Sequence, residues 1–206
     1  ELEEAISLAA DHLSLYQLTI EEGTPFYGLH KAGKLIVPDG DLSAELYELT
    51  RQVCESHGLP AYEVSNQARP GAESRHNLTY WRYGDYAGIG PGAHGRLSTR
   101  TGKIATATER TPETWLELVA ENGHGMVETT ELTASEQADE LLLMGLRLRE
   151  GINLKRWSTL AGRGLDPDRT GFLIHHGMIE QMDADRIRCT PAGMLVLDAV
   201  VADLAF

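Results

Sequence analysis

With 206 residues, 42% of them hydrophobic and 24% charged, the chain has the make-up of a soluble globular protein of one large or two small domains. Its 31 acidic residues against 18 basic ones leave a net charge of −13, the wrong sign for a nucleic-acid binder, and no basic stripe offsets it. No apolar run approaches the ~20 residues of a membrane helix, the opening Glu1-Leu2-Glu3-Glu4 is unlike a signal peptide, and Cys54 and Cys189, far apart in sequence, suit two small buried residues in a reducing cytosol better than a disulfide or metal framework.

Taken in order, Glu1 to Ala10 reads as the last turns of a helix that starts upstream, and the chain opens on Glu rather than Met, as a fragment does. His12 to Ile20 is a short apolar run bounded by Asp11 and Glu21-Glu22-Gly23, which predicts a buried strand. Leu42, Leu46, Leu49 and Val53 recur at helical spacing until Gly58 and Pro60 stop the helix. Tyr62 to Ser65 and Tyr86 to Gly90 read as two further strands, and strand, helix, strand at this spacing predicts βα units and a parallel sheet. Pro112 to Glu121 reads as a helix with Trp115, Leu118 and Val119 on one face. Thr133 and Glu136 have capping-box spacing and open a helix that carries Leu142, Leu143 and Leu146. Short helices follow from Asn153 (with Trp157 and Leu160) and from Pro167. A hairpin turns at Asp183-Ala184-Asp185, and Pro191 starts a last helix carrying Leu195 and Leu197. Three helices, a hairpin and a closing helix make a winged-helix-like module, with a boundary near residue 130.

The densest chemistry is in Arg75-His76-Asn77-Leu78-Thr79-Tyr80-Trp81, set between Pro70-Gly71 and Gly84-Asp85 and so read as a loop. An imidazole beside two aromatic faces suits a flat conjugated ligand whose iron it could bind. The alternative is that Tyr80 and Trp81 plug the end of a barrel and His76 makes a structural hydrogen bond. Gly88-Ile89-Gly90-Pro91-Gly92-Ala93-His94-Gly95 is either a ligand-approaching turn or a tight structural one, and it does not fit the dinucleotide fingerprint. His175 and His176 close a helix, an ordinary place for a cation. A transcription regulator is disfavoured, because the region from residue 131 on holds 8 basic and 12 acidic residues.

In sequence, these segments resemble the HemW/HemN family of radical-SAM proteins, the heme chaperones and oxygen-independent coproporphyrinogen III oxidases. The resemblance is carried by His12-Leu13-Ser14-Leu15-Tyr16-Gln17-Leu18-Thr19-Ile20-Glu21, Tyr62-Glu63-Val64-Ser65-Asn66, Ala68-Arg69-Pro70-Gly71, Glu73-Ser74-Arg75-His76-Asn77 with Tyr80-Trp81, the turn 88–95, and the region from Thr133 to Leu204. His-Asn-x-x-Tyr-Trp is more characteristic of HemW than of the oxidase.

The resemblance implies an α/β fold: residues 1–130 as the C-terminal part of a partial (β/α) radical-SAM barrel, and 131–206 as a small, mainly α, winged-helix-like domain. It implies S-adenosylmethionine and a [4Fe–4S] cluster in the full-length parent, although the family's C-x-x-x-C-x-x-C loop is absent from this sequence. Tyr16, Gln17 and Thr19, with main-chain groups of Gly92, Ala93 and His94, would face S-adenosylmethionine. His76, Tyr80 and Trp81 would meet heme, with His76 on the iron and His94 as its rival. Arg75 or Arg82 would pair with the propionates. The implied function is a cytoplasmic chaperone that delivers heme to acceptor proteins. The alternative is oxidative decarboxylation of coproporphyrinogen III to protoporphyrinogen IX. Strand edges left unpaired by a partial barrel would favour a homodimer.

Overall fold

The computed structural model describes residues 1–205, which fall into two compact units, Glu1–Ser74 and the part from Arg75 on. The first holds α1 (Leu2–Leu8), β1 (His12–Ser14), α2 (Pro25–Lys31), α3 (Gly40–Ser56) and β2 (Asn66–Ala68). Helices α2 and α3 start where side-chain caps allow. Thr24 accepts from the Tyr27 amide ahead of Pro25, and Asp39 accepts from the Leu42 amide at 2.9 Å. Gly58, at φ +75°, turns the chain out of α3, so that the Leu59 amide closes on the Cys54 carbonyl at 2.9 Å and both residues are buried.

Three sequence expectations change here. The strand predicted over His12 to Ile20 keeps only its first three residues, and Leu18 is exposed. The strand predicted over Tyr62 to Ser65 is a turn instead, because the Glu63 carboxylate accepts from the Ser65 amide at 2.9 Å and from the Asn66 side chain, drawing the backbone out of the ladder. Strand pairing begins just after it, and β2 runs antiparallel to β1, with Leu13 opposite Gln67. Every strand pair among the described residues is antiparallel, so the parallel sheet is not seen. The apolar stripe of α3 is also half-exposed at Leu42, Leu46 and Leu49.

The second unit begins with α4 (Arg75–Trp81), followed by a meander of β3 (His94–Ser98), β4 (Lys103–Thr108) and β5 (Met126–Leu132), with α5 (Pro112–Asn122) between the last two strands. Of the strand predicted over Tyr86 to Gly90, one antiparallel bridge remains, Tyr86 to Arg96. Gly95 is needed beside it, since a Cβ there would lie 2.6 Å from Thr106 Oγ1 and 2.9 Å from the Gly88 amide nitrogen.

The C-terminal elements are α6 (Ala134–Gly145), β6 (Ile152–Asn153), α7 (Leu154–Ala161), α8 (Pro167–His175), β7 (Ile179–Asp183), β8 (Arg186–Cys189), α9 (Pro191–Leu195) and α10 (Leu197–Ala205). Helices α6 to α8 followed by the β7–β8 hairpin, with β6 on the far side of β8, make the expected winged-helix-like arrangement. The capping box opens α6 as predicted: Thr133 Oγ1 accepts from the Glu136 amide, and the Glu136 carboxylate from the Thr133 amide at 2.8 Å. The helix predicted from Pro191 breaks at Val196 (φ −124°, ψ 32°) into α9 and α10.

Leu142, Leu146, Leu148, Trp157, Ile179, Ile187 and Leu204 are each at most 2% exposed, and each contributes roughly 1.5–3 kcal/mol by leaving water. The Trp157 indole N–H is satisfied by the Ala138 carbonyl at 3.0 Å. Leu143 and Leu195, also expected in this core, are exposed. Phe206 lies outside the described residues.

Candidate functional site

The His76 motif is a helix. Arg75 to Trp81 forms α4 rather than the loop its flanking turn residues suggest. It ends in a tightly closed C-terminus: the Gly84 amide reaches back to the Thr79 carbonyl (2.7 Å) and the Tyr83 amide to Tyr80 (2.8 Å), with Tyr83 left-handed at φ +53°. This is the Schellman pairing, with a tyrosine where glycine is usual. A non-glycine residue in that conformation costs about 1–2 kcal/mol, offset here by what Tyr83 does. Its ring is 4% exposed and lies 4.1 Å beneath the Lys103 ammonium. Its carbonyl accepts from Lys103 Nζ at 3.2 Å and Arg156 Nη2 at 3.0 Å. Lys103 is in turn paired with Asp85 at 3.1 Å, and against the opposing pull of desolvation the Ser98 amide, then Lys103 and the Ser98 hydroxyl, hold the Asp85 carboxyl below its ordinary range.

One turn of α4 sets the site. His76 and Tyr80 are four apart and Asn77 and Tyr80 three apart, so all three side chains share a face. Tyr80 Oη lies 2.9 Å from His76 Nδ1 and 3.2 Å from Asn77 Oδ1. The Tyr80 ring meets His76, Trp81 and Tyr86 edge-on at centroid distances of 5.0, 5.4 and 5.5 Å. His76 is exposed, while Tyr80 and Trp81 are half-buried. The Trp81 ring carries the Arg147 guanidinium 4.5 Å above it, and its indole N–H is buried without a hydrogen-bond partner among the described residues.

Of the two arginines expected near propionates, Arg82 is engaged bidentately by Glu150 (2.8 and 2.7 Å), which holds the Glu150 carboxyl below its usual range. Arg75 is exposed. Sequence reasoning assigned no role to Asn77 and overlooked Tyr86. A helical reading of the motif would have brought Asn77 and His76 onto the Tyr80 face by spacing alone.

The residues expected around S-adenosylmethionine lie in different units. Tyr16 and Thr19 are exposed, and the Gln17 side chain donates to the Ser43 carbonyl at 2.7 Å. Tyr16 and Gln17 line a cavity of about 370 Å³ against α3. In the second unit, the main-chain groups of the glycine turn are largely committed within the chain. The Gly92 amide donates to the Glu109 carbonyl (2.7 Å), the Ala93 amide to Thr108 Oγ1 (2.8 Å), and the Ala93 carbonyl accepts from the Thr108 amide (2.9 Å). His94 is exposed and sits opposite Ala107 on β3. An iron–sulfur cluster does not fit the residues present. The two cysteines are buried in separate units, and no group of three or more His, Cys, Asp or Glu able to hold a metal ion occurs among the described residues. Nor is any described helix long and apolar enough to cross a membrane.

A solved structure of the coproporphyrinogen III oxidase HemN from Escherichia coli, a radical SAM enzyme, superposes with a TM-score of 0.72 at 16% identity, over 99% of this chain and 50% of that one. The fold is therefore shared with the matching half of that protein. Residues 132–196 match the HemN C-terminal domain. The heme chaperone HemW of Bacillus subtilis is 40% identical over 184 residues, 87% of this chain and 47% of that protein. The mitochondrial radical S-adenosyl methionine domain-containing protein 1 of Mus musculus is 38% identical over 217 residues, 99% of this chain and 48% of that protein. HemW of Escherichia coli is 36% identical over 206 residues, 98% of this chain and 51% of that protein. The chain spans about half the length of the curated relatives it matches. Over that span it is similar to the HemW heme chaperones and, at its C-terminal end, to the HemN C-terminal domain.

Proposed function

We propose that the protein binds heme on α4, with His76 as the iron ligand, and passes it to acceptor proteins, as a heme chaperone does. The observation that carries this reading is an exposed imidazole on a helix face with one ring nitrogen already hydrogen-bonded, in a chain 40% identical to a heme chaperone. Trp81, already in contact with Arg147 and Tyr80, borders the porphyrin, and Arg75 answers a propionate. Arg82 is the poorer choice because it would have to leave Glu150. S-adenosylmethionine belongs to the same reading, and so do a cytoplasmic location and a homodimer. The oxidase alternative is supported by the shared fold and by the match of residues 132–196 to the HemN C-terminal domain.

Hemin titrated into the wild type, His76→Ala and His94→Ala, followed at the Soret band, tests the proposal. Loss of the band shift in His76→Ala alone is the expected result. Unchanged binding in His76→Ala overturns it, and loss in His94→Ala alone moves the ligand to His94.

A further inference from the structure

An imidazole binds iron through one nitrogen, and the hydrogen bond made by the other decides which nitrogen carries the proton. In α4 that bond runs from His76 Nδ1 to Tyr80 Oη over 2.9 Å, and the same oxygen lies 3.2 Å from Asn77 Oδ1. A phenol has one proton to give. An amide oxygen only accepts, so the phenol proton points to Asn77, and the proton between Tyr80 and His76 comes from Nδ1. Nε2 then holds the electron pair, and it makes no hydrogen bond among the described residues.

We propose that Tyr80 is a positioning residue for His76. It accepts the Nδ1–H, keeps the imidazole in the tautomer whose Nε2 can donate to iron, and strengthens that donation by drawing on the Nδ1 proton. The inference rests on His76 being the iron ligand. It gives Tyr80 a different task from the one its ring suggests. Edge-on contacts with His76, Trp81 and Tyr86 hold the ring in place, so the hydroxyl is a fixed anchor, and laying the ring flat on a porphyrin would forfeit all three. Asn77 completes the relay by taking the phenol proton, which otherwise could turn towards Nδ1 and reverse the tautomer.

The test uses hemin with the wild type, His76→Ala, Tyr80→Phe and Asn77→Leu, each first shown to be folded by far-UV circular dichroism. Tyr80→Phe keeps the ring and its edge contacts and loses only the hydroxyl. It is expected to bind hemin about 10- to 100-fold more weakly, the usual cost of removing such an outer partner. In the ferrous form, its iron–imidazole stretching band in resonance Raman should move to lower frequency. Asn77→Leu leaves Tyr80 in place and should shift both measurements the same way, so the inference stays testable if Tyr80→Phe does not fold. Wild-type affinity and band position in Tyr80→Phe overturn the inference, and so does tighter binding, which a phenol donating to Nδ1 would produce. Unchanged binding in His76→Ala defeats the ligand assignment instead, so the two failures are distinct.

Discussion

Gly193→Ala and Gly171→Ala make the same chemical change in two helices, and the structure gives them opposite signs. Gly193 lies in α9, whose first turn is held against the backbone of Met178. A Cβ at Gly193 would stand 1.8 Å from the Met178 carbonyl oxygen and 2.8 Å from its carbon. A carbon–oxygen contact needs about 3.3 Å, so backbone has to retreat by roughly 1.5 Å. The same carbonyl oxygen accepts from the Thr190 amide at 3.0 Å, and Thr190 Oγ1 caps α9 by accepting from Gly193 itself at 3.1 Å. Retreat therefore spoils the cap, worth about 1 kcal/mol, on top of about 1–3 kcal/mol of overpacking. The better helix propensity of alanine returns only about 1 kcal/mol. A net loss of about 2 kcal/mol follows. At Gly171, exposed in the middle of α8 with nothing within 4 Å of its added Cβ, only the propensity gain remains, about 0.5–1 kcal/mol of added stability. Urea unfolding followed by tryptophan fluorescence measures both, because Trp81, Trp115 and Trp157 all belong to the second unit. A Gly193→Ala variant as stable as wild type would refute the packing deduced for α9, and a clearly destabilised Gly171→Ala the open surroundings deduced for α8.

Burial pushes the Cys189 thiol up to about 12 from an ordinary 9.0, so its contribution to stability is complete below pH 9 and falls away as pH rises from there towards 12. Wild type should lose about 1 kcal/mol more than Cys189→Ala between pH 8 and pH 10; equal slopes would contradict this. Both thiols should react with Ellman's reagent only on unfolding, since Cys54 is 0% and Cys189 5% exposed. Arg96 grips Glu140 with Nε at 3.0 Å and Nη2 at 2.7 Å, both side chains being 20% exposed. Glu140→Ala should therefore cost about 3 kcal/mol, and Arg96→Met combined with Glu140→Leu should recover most of it in a denaturation cycle. A boundary near residue 130 remains our proposal, and a polypeptide of residues 131–206 should unfold cooperatively in urea because its seven most buried large side chains are all its own. A gradual, sloping transition would count against that boundary.

The C-terminal half was the easier part to read because its signals are local. Thr133 with Glu136, Asn153, Pro167 and Thr190-Pro191 mark helix starts through bonds made within a few residues, and each appears in the structure. The antiparallel pairing of β1 with β2 was not legible, since their partners lie about fifty residues apart and the Glu63 turn that sets the register depends on a side chain folding back on its own backbone. Helix α4 was hidden for another reason. His, Asn, Thr, Tyr and Trp are all weak helix formers, and seven residues are too few to show periodicity. What closes the helix is the Tyr83-Gly84 terminus, anchored by Lys103 and Arg156 from well beyond the motif. The chemistry of His76 was visible as letters; its geometry needed those distant cations.

Because His76, Asn77 and Tyr80 meet across one helical turn, the message of the motif lies in its counting as much as in its letters. Leu78 and Thr79 separate Asn77 from Tyr80, and either could be exchanged for another helix-compatible residue without breaking the relay. Adding or removing one residue between them would swing Tyr80 about 100° around the axis, leaving every named side chain present and the hydroxyl facing away from the imidazole. A homologue that preserves the residue types but shifts the interval by one should therefore be counted as having lost the device.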